Sequence, residues 1–137
     1  MKIAIIGAGA IGGYVGAKLA LAGEDVTFIV RGANLEAISA RGIKLIDNDG
    51  TEHVATSVKA FDDYAAAGVQ ELVILALKAH QVDAVADQIG HLMGPDTVVV
   101  TMQKTLRLLI PLQPLKKTSN SLFTLKSPAR TSRRAFV

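Results

Sequence analysis

The stretch Gly7-Ala8-Gly9-Ala10-Ile11-Gly12 constrains this chain more than any other. It follows directly on an apolar run, Ile3-Ala4-Ile5-Ile6, and opens a small-residue segment from Gly13 to Ala22 that reads as a helix. A strand, a glycine-rich turn and a helix in that order form the arrangement that holds a dinucleotide pyrophosphate. Gly7 permits the tight reversal after the strand, and Gly9 lets backbone approach the phosphates. Gly12 lets helix and strand pack closely, and Gly16 and Ala20 continue a small-residue stripe at i+4 spacing. Unpaired N–H groups at the helix start, with the helix dipole behind them, favour the phosphate charge. The pyrophosphate is therefore expected on Gly7, Ala8, Gly9, Ala10, Ile11 and Gly12.

The remaining elements extend this unit. A strand is expected over Val26–Val30, which is β-branched and apolar. Arg31-Gly32-Ala33 turns the chain, and Asn34 reads as the N-cap of a short helix ending near Arg41, with Gly42 just past it. Asp47-Asn48-Asp49-Gly50 joins Ile43–Ile46 to Val54–Thr56 as a hairpin. A short helix is expected from about Phe61 to Ala67, then a fully buried strand over Leu72–Leu77. Val82, Val85, Ala86 and Ile89 recur at helical spacing after Lys78. Gly94-Pro95-Asp96 is expected to break that helix before a last strand, Thr97–Met102. Strand and helix alternate, and the core must be aliphatic, since half of the 137 residues are hydrophobic but only 4% are aromatic. The fold class is α/β, a doubly wound parallel sheet of the Rossmann type.

Charge divides the chain in two. Residues 1–103 carry seven Lys/Arg and all twelve Asp/Glu, whereas residues 104–137 carry eight Lys/Arg and no acid. The basic balance thus belongs to the last stretch, and nucleic-acid binding is not expected of the folded part. Residues 1–103 read as a nucleotide-binding domain. Residues 104–137 show no period and contain Pro111, Pro114 and Pro128; they read as a disordered or aberrant tail. No apolar stretch is long enough to span a bilayer, and an amino-terminal strand and glycine turn stand where a secretory signal would need its apolar region. A soluble cytoplasmic protein without a membrane partner is expected. The absence of cysteine excludes disulfides and thiolate chemistry, and the dispersed His53, His80 and His91 lack metal-ligand spacing, so no metal is expected.

Two further positions bear on chemistry. An NAD-preferring fold carries an acid about twenty residues past the glycines, on the ribose 2′-hydroxyl. Here Val30-Arg31 occupies that place, nineteen residues after Gly12, with no acid beside it. A guanidinium there suits a 2′-phosphate, so NADP(H) is the expected cofactor. Lys78 directly follows an apolar strand, at the sheet edge where ligands bind; strand end alone leaves open whether it meets a ligand or only water.

Four blocks in order now carry a resemblance: Lys2 to Gly13, Val30-Arg31-Gly32, Leu75-Ala76-Leu77-Lys78-Ala79-His80-Gln81-Val82, and Val100-Thr101-Met102-Gln103. Together they resemble the N-terminal domain of the ketopantoate reductase (2-dehydropantoate 2-reductase) family. The resemblance implies NADPH-dependent reduction of a 2-keto acid, 2-dehydropantoate, to pantoate on the way to pantothenate and coenzyme A. It assigns Gly7 to Gly12 to the pyrophosphate, Arg31 to the 2′-phosphate and Lys78 to the cofactor, and it allows a homodimer in full-length members. The family continues with Asn-Gly where this chain has Lys104-Thr105, and its helical second domain supplies a catalytic Lys and a substrate-binding Glu. No residue of this chain is expected to be catalytic, and a shifted reading frame after residue 103 is one expectation for the tail. The competing expectation is a non-catalytic NAD(P)-binding sensor or docking module. Nucleic-acid binding through the basic tail would rest on charge alone.

Overall fold

In the computed structural model, which describes residues 1–102, 122–124 and 135–136, the amino-terminal apolar run becomes strand β1, Lys2–Ile6. The small-residue segment becomes helix α1, Ala10–Leu21, which returns the chain to β2, Asp25–Ile29, parallel to β1. Helix α2 spans Ala33–Arg41. The hairpin follows as β3, Ile43–Ile46, and β4, Glu52–Ala55, paired antiparallel. Next come β5, Lys59–Phe61, helix α3, Tyr64–Ala67, and β6, Gln70–Leu75. Helices α4, Ala79–Val82, and α5, Ala86–Ile89, lead to β7, Met93–Thr101.

The main sheet has the order β5-β2-β1-β6-β7-β8, where β8 is Leu122–Thr124, and every neighbouring pair is parallel. The chain lays down the centre first, works outward to one edge, and then crosses back to fill the other side. That reversal beside β1 is the switch point of a doubly wound sheet, where such folds bind ligands at the carboxyl ends of their strands. A second sheet has the order β4-β3-β9, with β9 at Ala135–Phe136.

The pleat explains the unbroken apolar runs. Successive side chains of a strand point to opposite faces. Ile3 and Ile5 enter one core with Ala17, Phe28, Ile38, Ile43 and Leu45, while Ala4 and Ile6 enter the other with Ile29, Tyr64, Val73, Leu75 and Ile89. Helices α1 and α2 and the hairpin cover the first face, and α3 and α5 cover the second. A strand buried on both sides can afford no polar alternation.

Four local expectations change. Phe61 ends strand β5 rather than starting a helix, because Lys59–Phe61 finds the open edge of β2. Asn34 does not cap α2: the N-cap is Gly32, at φ +57° and ψ −136°, which frees the Asn34 side chain. The segment after Lys78 keeps the buried face of Val82, Val85 and Ile89, but it is divided. Val85, at φ −120° and ψ −1°, interrupts the helical ladder and separates α4 from α5 through a 3-10 turn. Gly94-Pro95-Asp96 lies within β7 and does not end the helix; a 3-10 turn over Gly90–Leu92 does that. The irregularity in the β6–β7 register is held by Thr97, whose hydroxyl accepts from the Gly94 N–H at 2.7 Å and donates to the Gln70 carbonyl at 2.6 Å. The Asp63 carboxylate caps α3 by accepting from the Ala65 N–H at 2.9 Å. In the basic stretch, β8 and β9 pair with the two sheets. The rest of 104–137, Lys104 included, lies outside the described residues.

Candidate functional site

The carboxyl ends of the central strands are stitched together one residue beyond their ladders. The Gly7 N–H donates to the Ile29 carbonyl at 3.1 Å, the Ala76 N–H to Ile6 at 3.0 Å, and the Val30 N–H to Phe61 at 2.9 Å. These bonds fix the floor from which the glycine turn, Arg31 and the segment after β6 rise.

At the turn each glycine has a separate reason. Gly7 has φ +97°, in the left-handed region, and a Cβ there would meet Leu77 Cδ2 at 2.9 Å. At Gly12 a Cβ would lie 2.0 Å from the Gly7 carbonyl oxygen and 2.8 Å from Ala76 Cβ. At Gly9 a Cβ would meet no atom of the described residues within 4 Å, and its backbone is at φ −70°. Packing therefore requires Gly7 and Gly12, while Gly9 faces open space. Gly9 is also the N-cap of α1 and offers no side chain to the helix's first N–H groups, and no acid lies in the first turn. The Gly13 N–H is the first to close a helical bond, onto the Gly9 carbonyl at 2.7 Å. The earlier N–H groups of α1 have no acceptor within the helix. This end suits an anion.

Beside the turn lies a cleft of about 430 Å³. Ile6, Gly7 and Ala8 form one wall, Ile29, Val30, Arg31 and Asn34 a second, and Leu77, His80, Gln81, Ala84 and Val85 a third, with Tyr64 between the second and third. Of the expected site residues, Gly7, Ala8 and Arg31 line it. Gly9, Ala10, Ile11 and Gly12 start α1 next to it and are not part of its lining. Lys78 is exposed and does not line it either. It caps α4, its N–H donating to Gln81 Oε1 at 3.1 Å and its carbonyl accepting from the Gln81 N–H at 2.9 Å. That exchange ties Lys78 to a residue that does reach the cleft.

Asn34, Tyr64, His80 and Gln81 were not expected from residue patterns as cleft residues. Asn34 reads as a cap, and the dispersed His80 carries no signal for the cleft; it is exposed and lines it. Tyr64 carries no local signal. It is 3% exposed, and burial holds its phenol above the ordinary value of 10.0 against the opposing pull of the Arg31 charge.

A sequence model described as ketopantoate reductase PanE/ApbA matches residues 3–126. The chain belongs to the ketopantoate reductase family. It is 54% identical over 104 residues to a 2-dehydropantoate 2-reductase of Mesorhizobium japonicum, a match covering 75% of this chain and 31% of that protein. The crystal structure of the 2-dehydropantoate 2-reductase of Geobacter metallireducens superposes with a TM-score of 0.71 at 34% identity, covering 77% of this chain and 35% of that one. A D-mandelate dehydrogenase solved with NADH and anilino(oxo)acetate gives 0.65 at 31% identity, covering 76% and 33%. The chain spans about a third of the length of the curated ketopantoate reductase relatives it matches. Among the described residues no helix is long and apolar enough to cross a membrane.

Proposed function

We propose that this chain holds the cofactor of an NADPH-dependent reduction of 2-dehydropantoate to pantoate. One observation carries the cofactor choice: Arg31, at the carboxyl end of β2, lines the cleft that begins at the glycine turn, and among the described residues no acid lines that cleft. A carboxylate at this position would accept from a ribose 2′-hydroxyl and repel a 2′-phosphate, whereas a guanidinium offers the phosphate a charged fork of donors. The cleft also fits the group as a whole. The open space at Gly9 and the free N–H groups of α1 suit a pyrophosphate, and the aliphatic wall of Ile29, Val30, Ala84 and Val85 suits a flat base.

When bound, the nicotinamide supplies hydride to a ketone. The residues of this chain bind and orient: Gly7 to Gly12 at the pyrophosphate, Arg31 at the 2′-phosphate, and Lys78 on the cofactor side with Gln81. The resemblance places the family's catalytic Lys and its Glu in the helical second domain, and this chain spans about a third of the relatives' length. We therefore expect the chain by itself to bind cofactor with little or no turnover, since binding without a positioned acid lowers the barrier little.

The test is a thermal shift with NADPH, NADH and buffer, repeated on Arg31→Ala. NADPH is expected to raise the unfolding midpoint more than NADH, and Arg31→Ala to remove the difference. Equal shifts from both cofactors in the parent chain would overturn the NADP reading. Steady NADPH oxidation with ketopantoate would overturn the expectation of weak turnover.

A further inference from the structure

Among the described residues, the cleft holds one polar side chain that is not at its rim. Arg31, Asn34, His80 and Gln81 are all exposed, whereas Tyr64 is 97% buried, the complement of its 3% exposure. Its ring packs in the second core with Ile6, Ile29 and Leu75, so its position is fixed by the sheet and not by a loop. Its hydroxyl makes no hydrogen bond to the described residues. The ring is buried, but the hydroxyl is not among the buried unpartnered atoms of the described residues, so it is open to the cleft that Tyr64 lines, where it can donate to a ligand acceptor.

Topology says which part of a ligand it reaches. Tyr64 opens α3 just after β5, and β5 lies outside β2, away from the crevice between β1 and β6. The Val30 N–H to Phe61 carbonyl bond holds the ends of β2 and β5 together, so Arg31 and Tyr64 rise from adjacent strand ends. The pyrophosphate end of the cleft is on the opposite side, at Gly7 and Ala8. A donor at the β2–β5 edge meets the ribose substituent and not the pyrophosphate.

We infer that Tyr64 is a specificity-determining residue whose hydroxyl donates to the 2′-phosphate alongside Arg31. This rests on the NADP reading of Arg31. A neutral phenol gives a short O–H···O⁻ bond to a phosphate oxygen, and its apolar surroundings keep it neutral. The core-held ring spends little entropy on making that bond, unlike the flexible Arg31 side chain.

The experiment measures the Kd of 2′,5′-ADP, NADPH and NADH on the full chain, its Tyr64→Phe variant and its Arg31→Ala variant. Tyr64→Phe keeps the ring in the core, and it should weaken NADPH and 2′,5′-ADP by about tenfold while changing NADH by less than about twofold. Loss of affinity in Arg31→Ala with none in Tyr64→Phe would overturn the Tyr64 assignment and leave the cofactor reading standing. Equal weakening of NADPH and NADH would place the phenol on the shared adenosine and overturn it too. No preference for NADPH in the parent chain would remove the Arg31 reading itself. A second measurement avoids any loss of folding in Tyr64→Phe. The chain has no tryptophan and two tyrosines, so Tyr14→Phe leaves Tyr64 as the sole fluorophore. Its emission should change on 2′,5′-ADP well beyond any change with 5′-ADP, and identical responses would overturn the proposal.

Discussion

At the scale of single residues, the glycine turn separates two requirements that a motif alone runs together. Gly12 is demanded by protein packing, because a methyl group there would overlap the Gly7 carbonyl oxygen. Gly9 is not, because no atom of the described residues stands where its methyl would go. The pair makes a controlled comparison. Gly12→Ala should cost about 1–3 kcal/mol of stability through overpacking. Gly9→Ala, a change at the N-cap of α1, should cost no more than about 1 kcal/mol yet weaken NADPH binding, because its methyl would occupy the space left for the phosphate. Denaturant unfolding and cofactor titration on both variants check this. A Gly9→Ala protein that binds NADPH as well as its parent would show that the open space is not used.

Elements show what the residues could and could not announce. The order of strands and helices, the turn at Gly7 to Gly12 and the cap at Asp63 could all be read from local chemistry, since each depends on neighbours within a few positions. β5 could not: Lys59-Ala60-Phe61 is too short to carry a period, and it becomes a strand only because β2 leaves an open edge. The same holds at the cleft. Arg31 and Lys78 stand at the ends of strands long enough to recognise, whereas Tyr64 reaches the cleft through a strand that gives no signal. Lys78 shows the limit of the strand-end argument: β6 ends at Leu75, Lys78 caps α4, and it lies outside the cleft lining. The α3 turn that carries Tyr64 is only four residues long, and its cap matters accordingly. Asp63→Ala removes the bond to the Ala65 N–H and should cost about 1 kcal/mol. If Tyr64 serves the cofactor, it should also loosen NADPH binding, whereas Asp62→Ala, one residue earlier and without that cap, should do neither.

For the molecule as a whole, the sheet order has a consequence in time. β1 is the central strand, hydrogen-bonded on both sides, yet its two partners arrive at very different distances along the chain. Ile3 meets Val26 on one side and Leu72 on the other. The first pairing closes a short loop over α1; the second must close one of about 70 residues, and such long-range parallel pairing is slow. The β1–α1–β2 unit, glycine turn included, can therefore assemble before the cleft has its third wall. Truncations of core side chains in β6, such as Val73→Ala, should slow refolding. Truncations in the hairpin, such as Ile43→Val, should mainly hasten unfolding; stopped-flow chevrons distinguish the two. Until β6 docks, one edge of β1 is an unpaired apolar strand, the kind of surface that recruits another chain. The strand that makes the cofactor site rigid in the finished fold is thus, for a while, its most aggregation-prone part.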